Sequence, residues 1–291
     1  MKLLAVVAGI SGFAHAIDFN APLFENGADI ARIPTSYESA VMGRRILALT
    51  KLGTLSTVFP GSSGGSVARD GQAGTEENRP DGLGGVPIGL MDYIADCEEG
   101  GNPTILAIRI ATSFKNAREG SNITLSLQWT PPYPPTRRIS LFSRLSEYIP
   151  YMGGELSYNN NKKKAPESHA SSSAPDTVPY SAANLPRFSL IGYLEPIRPN
   201  IVDAVRLAEC YITKHHDAKY WLPGNPIHTS EWMRLVVTQV YWIGGFGDRA
   251  YIGWIPIDQW KKVTREEWQG IQLPGEKKGW SEWSIDEAGE L

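Results

Sequence analysis

The segment Met233–Ile243, MRLVVTQVYWI, is apolar at eight of its eleven positions. Read as a strand, it points Leu235, Val237, Tyr241 and Ile243 to one side and Val236, Val240 and Trp242 to the other. Such a strand cannot border a sheet with one wet face. It needs cover on both faces, which suits a central strand of a closed or nearly closed sheet. Six further runs share strand character: Thr54–Phe59, Val86–Ile94, Thr104–Ala111, Ile123–Trp129, Arg187–Pro196 and Ala250–Ile255. Each is rich in β-branched, Leu or aromatic residues and is bounded by Gly, Pro or Asn.

Two helices accompany the strands. Tyr37–Lys51 carries Val41, Arg44/Arg45 and Ala48 at three-to-four spacing, with Ser36 available as a cap and Gly53 as the stop. Ile201–His215 follows Pro199 and a capping Asn200, with Asp203 at the third helical position, where a carboxylate meets the positive end of the helix dipole. Its apolar stripe reads Ile201, Val205, Ala208 and Ile212. The chain is therefore mainly β, in the α+β class.

The first sixteen residues read as a secretory signal peptide. Lys2 is the positive n-region, Leu3–Phe13 the apolar h-region and Ala14-His15-Ala16 the cleavage site. One domain over residues 17–265 follows, interrupted by loops at 60–85 and 155–184. Both loops are too polar to offset their ordering entropy. A polar segment, 266–291, closes the chain. Its Trp280-Ser281-Glu282-Trp283-Ser284 matches a cytokine-receptor box, either by chance or because the tail packs its tryptophans onto the domain. No later stretch has the uninterrupted apolar length of a membrane span.

Without Lys2 the chain has 27 basic and 31 acidic residues. The cations are not clustered, so a nucleic-acid surface is not expected. Cys97 and Cys210 are the two cysteines; a secreted chain permits a bridge between them, and two buried thiols fit equally. The sequon Asn122-Ile123-Thr124 places a candidate glycan at the surface, at the start of a strand.

Three motifs invite chemistry. Gly61-Ser62-Ser63-Gly64-Gly65 fits a serine elbow, but no helix follows it and no mature histidine precedes it, so it reads as a loop. His215 and His216 at a helix C-terminus suit the negative dipole end; a metal or haem ligand is the alternative. His169 and His228 stand apart. Gly244-Gly245-Phe246-Gly247-Asp248 joins two strands at hairpin length. Its glycine amides, beside Arg249, could also form an anion nest.

The stretches ITKHHDAKYW (Ile212–Trp221) and EWMRLVVTQVYWIGGFGDRAYI (Glu231–Ile252) resemble the C-terminal half of the CREG family. Upstream, LGTLSTV, GVPIGLMDYIAD, GNPTILAI and PRFSLIGYLEPI follow that family's strand series in order. CREG proteins are secreted glycoproteins of the pyridoxamine 5'-phosphate oxidase-like superfamily. The resemblance implies a six- to seven-stranded antiparallel split β-barrel with flanking helices, a homodimer, and a secreted or vacuolar/lysosomal location. In flavin-binding relatives FMN lies at the dimer interface, its phosphate held by Arg/Lys and Ser/Thr. The Arg-x-x-x-Leu-Lys strand of those oxidases is absent here. Arg109 and Thr112, or Ser56 and Thr57, stand in by position, with Gly244, Gly245 and Arg249 as the nest. The CREG branch itself implies binding rather than catalysis. An FMN-dependent oxidoreductase is the alternative. Haem-utilisation proteins of the superfamily, with a similar GGFG turn, supply a third reading.

Overall fold

The structure is a computed structural model that describes residues 32–61, 80–135, 182–225, 229–247 and 250–280. The signal-like segment, His169, His228, Arg249 and most of the two loops lie outside the described residues.

Helix α1 (Ser36–Leu49) begins one residue before the sequence expectation, because Thr35 rather than Ser36 is its cap. Thr35 Oγ1 accepts the Glu38 N–H at 3.2 Å while the Glu38 carboxylate accepts the Thr35 N–H at 2.8 Å. This reciprocal box satisfies two orphan donors of the first turn. Ser36 Oγ instead donates to Gln259 at 2.7 Å. The strands are β1 (Leu52–Val58), β2 (Pro87–Tyr93), β3 (Thr104–Ile108), β4 (Ile123–Gln128), β5 (Arg187–Pro196), β6 (Ser230–Ile243) and β7 (Ile252–Ile255). The remaining helices are α2 (Thr112–Arg118), α3 (Ile201–Lys214), α4 (Ile257–Lys262) and α5 (Arg265–Gly270).

All pairings are antiparallel, in the order β2-β1-β4-β5-β6-β3, with β7 also on β6. β6 is the central strand that the sequence demanded. One edge pairs with β5 along its length; the other pairs first with β3 and then with β7. In the gap between them Leu235 N–H donates to Pro103 O at 2.9 Å and Val237 N–H to Asn102 Oδ1 at 3.0 Å. The sheet does not close into a continuous barrel. Its two ends, β2 and β3, approach only through the bridge Ala95–Thr104 just past β2. The expected near-closed cylinder is therefore an open antiparallel sheet curled around a core.

The alternation expected along β6 breaks at Thr238. Gly192 of β5 faces Val237 and Ile191 faces Gln239, so Thr238 is an extra residue opposite none. This bulge resets the phase: Leu235, Val237, Val240 and Trp242 all turn inward and are buried. Gly192 makes it feasible, since a Cβ there would lie 1.9 Å from the Val236 carbonyl oxygen.

The inner face meets α1, α4 and α5 across the main core, which includes Ile46, Leu55, Leu125, Leu190, Trp242 and Trp260. Trp268, Ile271 and Leu273 join this core, and Trp280 Nε1 donates to Tyr133 O at 2.7 Å. Of the tail, this segment packs its tryptophans onto the domain. A second, smaller core lies under α3, around Leu106, Leu207, Tyr211 and Trp232. The stripe expected to bury α3 is not its buried face: Ile201 is 86% and Val205 54% exposed. The disulfide Cys97–Cys210 and the Tyr211 hydroxyl, which donates to Tyr93 O at 3.0 Å, set the helix's rotation instead.

Candidate functional site

The sheet's outer face, opposite the main core, carries a row of side chains that five ladders bring into line. Met91 (β2) faces Thr54 (β1), Thr54 faces Ser126 (β4), Ser126 faces Ser189 (β5), Ser189 faces Tyr241 (β6), and Tyr241 faces Trp254 (β7). Strand spacing puts Met91 and Tyr241 roughly 19 Å apart across the sheet. The middle of the row is low, because threonine and serine are small. Its ends are high: Met91 is 66% and Trp254 55% exposed, and Tyr241 and Trp254 pack edge to face at 5.1 Å.

The result is an open groove of about 440 Å³. The next row adds Gln128, paired with Arg187, which in turn pairs with Ile243. Ser126 Oγ and Ser189 Oγ share a hydrogen bond at 3.1 Å. Arg187 Nη1 donates to Ala183 O at 3.4 Å, which anchors a half-buried guanidinium at one end. Among the described lining residues Arg187 is the one charged group. The groove therefore offers uncharged donors and acceptors, one cation and an aromatic wall.

Among the described residues, those expected from sequence do not form one site. Ser56 lies on this outer face, opposite Gly89 and Thr124, one row beyond the groove. Thr57 points inward and is buried, its Oγ1 accepting from Asn116 Nδ2 at 3.1 Å. Arg109 follows β3 and is exposed, its N–H donating to Thr229 O at 3.0 Å. Thr112 is the first residue of α2. Gly244 and Gly245 follow the last residue of β6, whereas Arg109 sits beside its first. The 14-residue strand separates them by roughly 40 Å. Gly244 N–H donates to Tyr251 O at 3.0 Å, and Gly245 has φ +150° with the Asn184 carbonyl close by. These glycines form the corner of a hairpin.

A cluster of ionisable groups with shifted pKa values lies elsewhere, packed between α1, α3 and the chain after β2. Arg44 and Asp96 are both buried, 4.0 Å apart; burial pushes the guanidinium's pKa down and the carboxyl's up. Burial also lowers Lys214 to about 8, and its ammonium donates to Ala48 O. His215 is the C-cap of α3, yet it does not act as a dipole-capping cation. Its ring stacks on Tyr93 at 4.4 Å, Nε2 lies 2.9 Å from Ile94 O, and burial lowers its pKa. The ring is a neutral packing element, and this nitrogen is not open to a metal or haem iron. His216 is exposed. Among the described residues no group of three or more His, Cys, Asp or Glu could hold a metal ion, and no helix is long and apolar enough to cross a membrane.

Asp92 makes the effect of burial measurable. Burial raises its pKa to about 6, against one hydrogen bond from the Tyr93 N–H at 2.8 Å. The folded state holds this proton more tightly than the unfolded chain, whose aspartates titrate near pH 4. Its contribution to stability is thus fullest below pH 4 and is lost as the pH rises to 6. Asp92→Asn should raise stability at pH 7.5 by about 1–2 kcal/mol and leave it unchanged at pH 4. Urea unfolding at the two pH values reads the difference; equal effects at both would show that burial does not shift this carboxyl.

The family model described as CREG, beta-barrel, matches residues 34–262, which takes in every strand of the sheet. The chain belongs to the CREG β-barrel family. No curated protein sequence matches this CREG chain. Among solved structures, a heme binding protein from Mycobacterium smegmatis is 16% identical with a TM-score of 0.43. That match covers 78% of the CREG chain and 60% of the mycobacterial one. A FAD-binding protein from Mesorhizobium loti is 11% identical, TM-score 0.32, with 67% and 87% covered. An F420 reductase is 14% identical, TM-score 0.30, with 72% and 98% covered. At these scores none of the three carries an argument about function.

Proposed function

We propose that the chain is a secreted or vacuolar CREG-like glycoprotein that works as a homodimer by binding, through the outer face of its sheet, rather than by catalysis. The groove carries this reading. It presents hydroxyls, an amide and a single guanidinium, and no two ionisable groups face each other there as an acid and a base would. The described groups whose pKa values shift lie outside the groove, in structural contacts. The signal-like N-terminus supports secretion, and Asn122, exposed immediately before β4, supports glycan attachment.

One observation favours a second reading, an FMN-dependent oxidoreductase. Arg187 stands beside the hydroxyls of Ser126 and Ser189, a set that fits the phosphate and ribityl chain of a flavin nucleotide. Arg187 would hold the phosphate, Ser126 and Ser189 the polyol, and the flavin would supply the redox chemistry. A haem reading finds no such support in the groove, whose described lining holds no histidine. The absorbance spectrum of freshly purified protein separates these readings. A binding protein without resident cofactor shows no visible band, whereas flavin bands near stoichiometry would overturn the first reading in favour of the second.

A further inference from the structure

We propose that the outer-face groove binds a saccharide bearing one anionic group. This rests on the reading of that face as the binding surface, and names its ligand class.

The argument is one of matched spacing and charge. Thr54, Ser126 and Ser189 lie side by side on three adjacent strands. The Ser126 and Ser189 oxygens lie 3.1 Å apart, close to the separation of neighbouring hydroxyls around a pyranose ring, and Thr54 stands one strand further on, about 4.8 Å away. Ser126 and Ser189 bond to each other, so one hydroxyl proton and several lone pairs remain for a ligand. Gln128 adds an amide in the next row. Hydroxyls and amides that both donate and accept suit a polyol, whose groups do the same. Tyr241 forms the wall, held edge-on by Trp254, and an aromatic face packs against the C–H surface of a sugar ring. Arg187 supplies two-pronged recognition for a carboxylate, sulfate or phosphate substituent. With no carboxylate among the described lining residues, an acidic ligand meets no repulsion.

The occupant is therefore not a neutral apolar molecule, which would strand the hydroxyls, nor a polycation. A flavin nucleotide shares the polyol and the anion but adds a broad aromatic ring system, so it is the competitor that the test must include.

Titration calorimetry and tryptophan fluorescence on the intact secreted protein, with glucuronate, glucose 6-phosphate, glucose and FMN as probes, test this. Saturable binding of either acidic sugar is expected, at least ~10-fold tighter than glucose, as a charge-assisted contact implies. Arg187→Gln should weaken the acidic sugar by ~10-fold or more while leaving the weak glucose binding unchanged. The double variant Ser126→Ala/Ser189→Ala should weaken both sugars. Arg206→Gln, on exposed α3, serves as the charge control, and thermal melts establish that each variant folds. Equal affinity for glucose and the acidic sugars, or indifference to Arg187→Gln, overturns the proposal. Binding of FMN alone overturns it while the groove stands as a binding site. Binding of no probe overturns both.

Discussion

Trp260→Ala is expected to lower the stability of the fold by about 3–5 kcal/mol, the range for deleting a fully enclosed large aromatic. Trp260 is completely buried, and α1, β5 and the chain before β3 all depend on its ring. Its Nε1 donates to Gly101 O at 3.0 Å, so truncation leaves a buried carbonyl unpaired. The Arg44 guanidinium lies 5.8 Å over the ring, and Phe188 packs against it at the same centroid distance. Helix α1 approaches so closely that a Cβ on Gly43 would sit 2.8 Å from the indole. Collapse of neighbours into the space is resisted on every side, which places the loss toward the upper end of the range. Trp260→Phe retains much of the volume but not the hydrogen bond, and should cost less. Urea unfolding followed by far-ultraviolet circular dichroism reads both. A loss below 1 kcal/mol for the alanine variant would mean that the α1–α4 contact is not part of the main core.

The second large effect belongs to the disulfide. Replacing Cys97 and Cys210 together by serine should cost about 2–5 kcal/mol. The bridge spans 113 residues of sequence, so it removes much freedom from the unfolded chain. Its local effect should be larger than its global one. α3 leaves Ile201, Val202 and Val205 exposed and buries Leu207 and Tyr211. Without the bridge, the helix keeps that small core and the Tyr211 hydroxyl between Tyr93 O and the Leu106 N–H. Hydrogen exchange should therefore show α3 opening well before the sheet in the double-serine variant, and with the sheet in the parent. Unchanged protection of α3 would show that Leu207 and Tyr211 suffice to hold it.

The sheet was legible because its strands announce themselves locally. Apolar runs ended by Gly, Pro or Asn gave seven strands, and Arg187–Pro196 fell on its observed limits. What sequence could not show depends on contacts made far along the chain. The bulge at Thr238 lies inside a run that reads as one strand, and only the pairing of Gly192 with Val237 and Ile191 with Gln239 reveals the extra residue. Helix α2 has seven residues without a side-chain cap, too short for a periodic signal. The face that α3 buries is chosen by a covalent tether and a tyrosine hydroxyl, not by its most apolar stripe. The segment after residue 265 looked polar because Trp268, Ile271 and Leu273 are widely spaced, yet each finds the core.

The groove was less legible than the fold. Thr54, Ser126, Ser189 and Tyr241 come from four strands, and only the register aligns them. A signal was present in the Thr-x-Ser alternations at Thr54/Ser56 and Thr124/Ser126, which mark one face of two strands as small and hydroxylated. Of the residues expected to meet an anion, Arg109 and the Gly244–Gly245 corner sit at opposite ends of β6, and Arg249 lies outside the described residues.

The most direct test of the account is the visible spectrum of the freshly purified protein, recorded before and after adding a slight excess of FMN. The account of a binding face without resident cofactor expects no absorbance above the protein band before addition, and simple additivity afterwards. A yellow preparation with flavin bands near one per chain would contradict it.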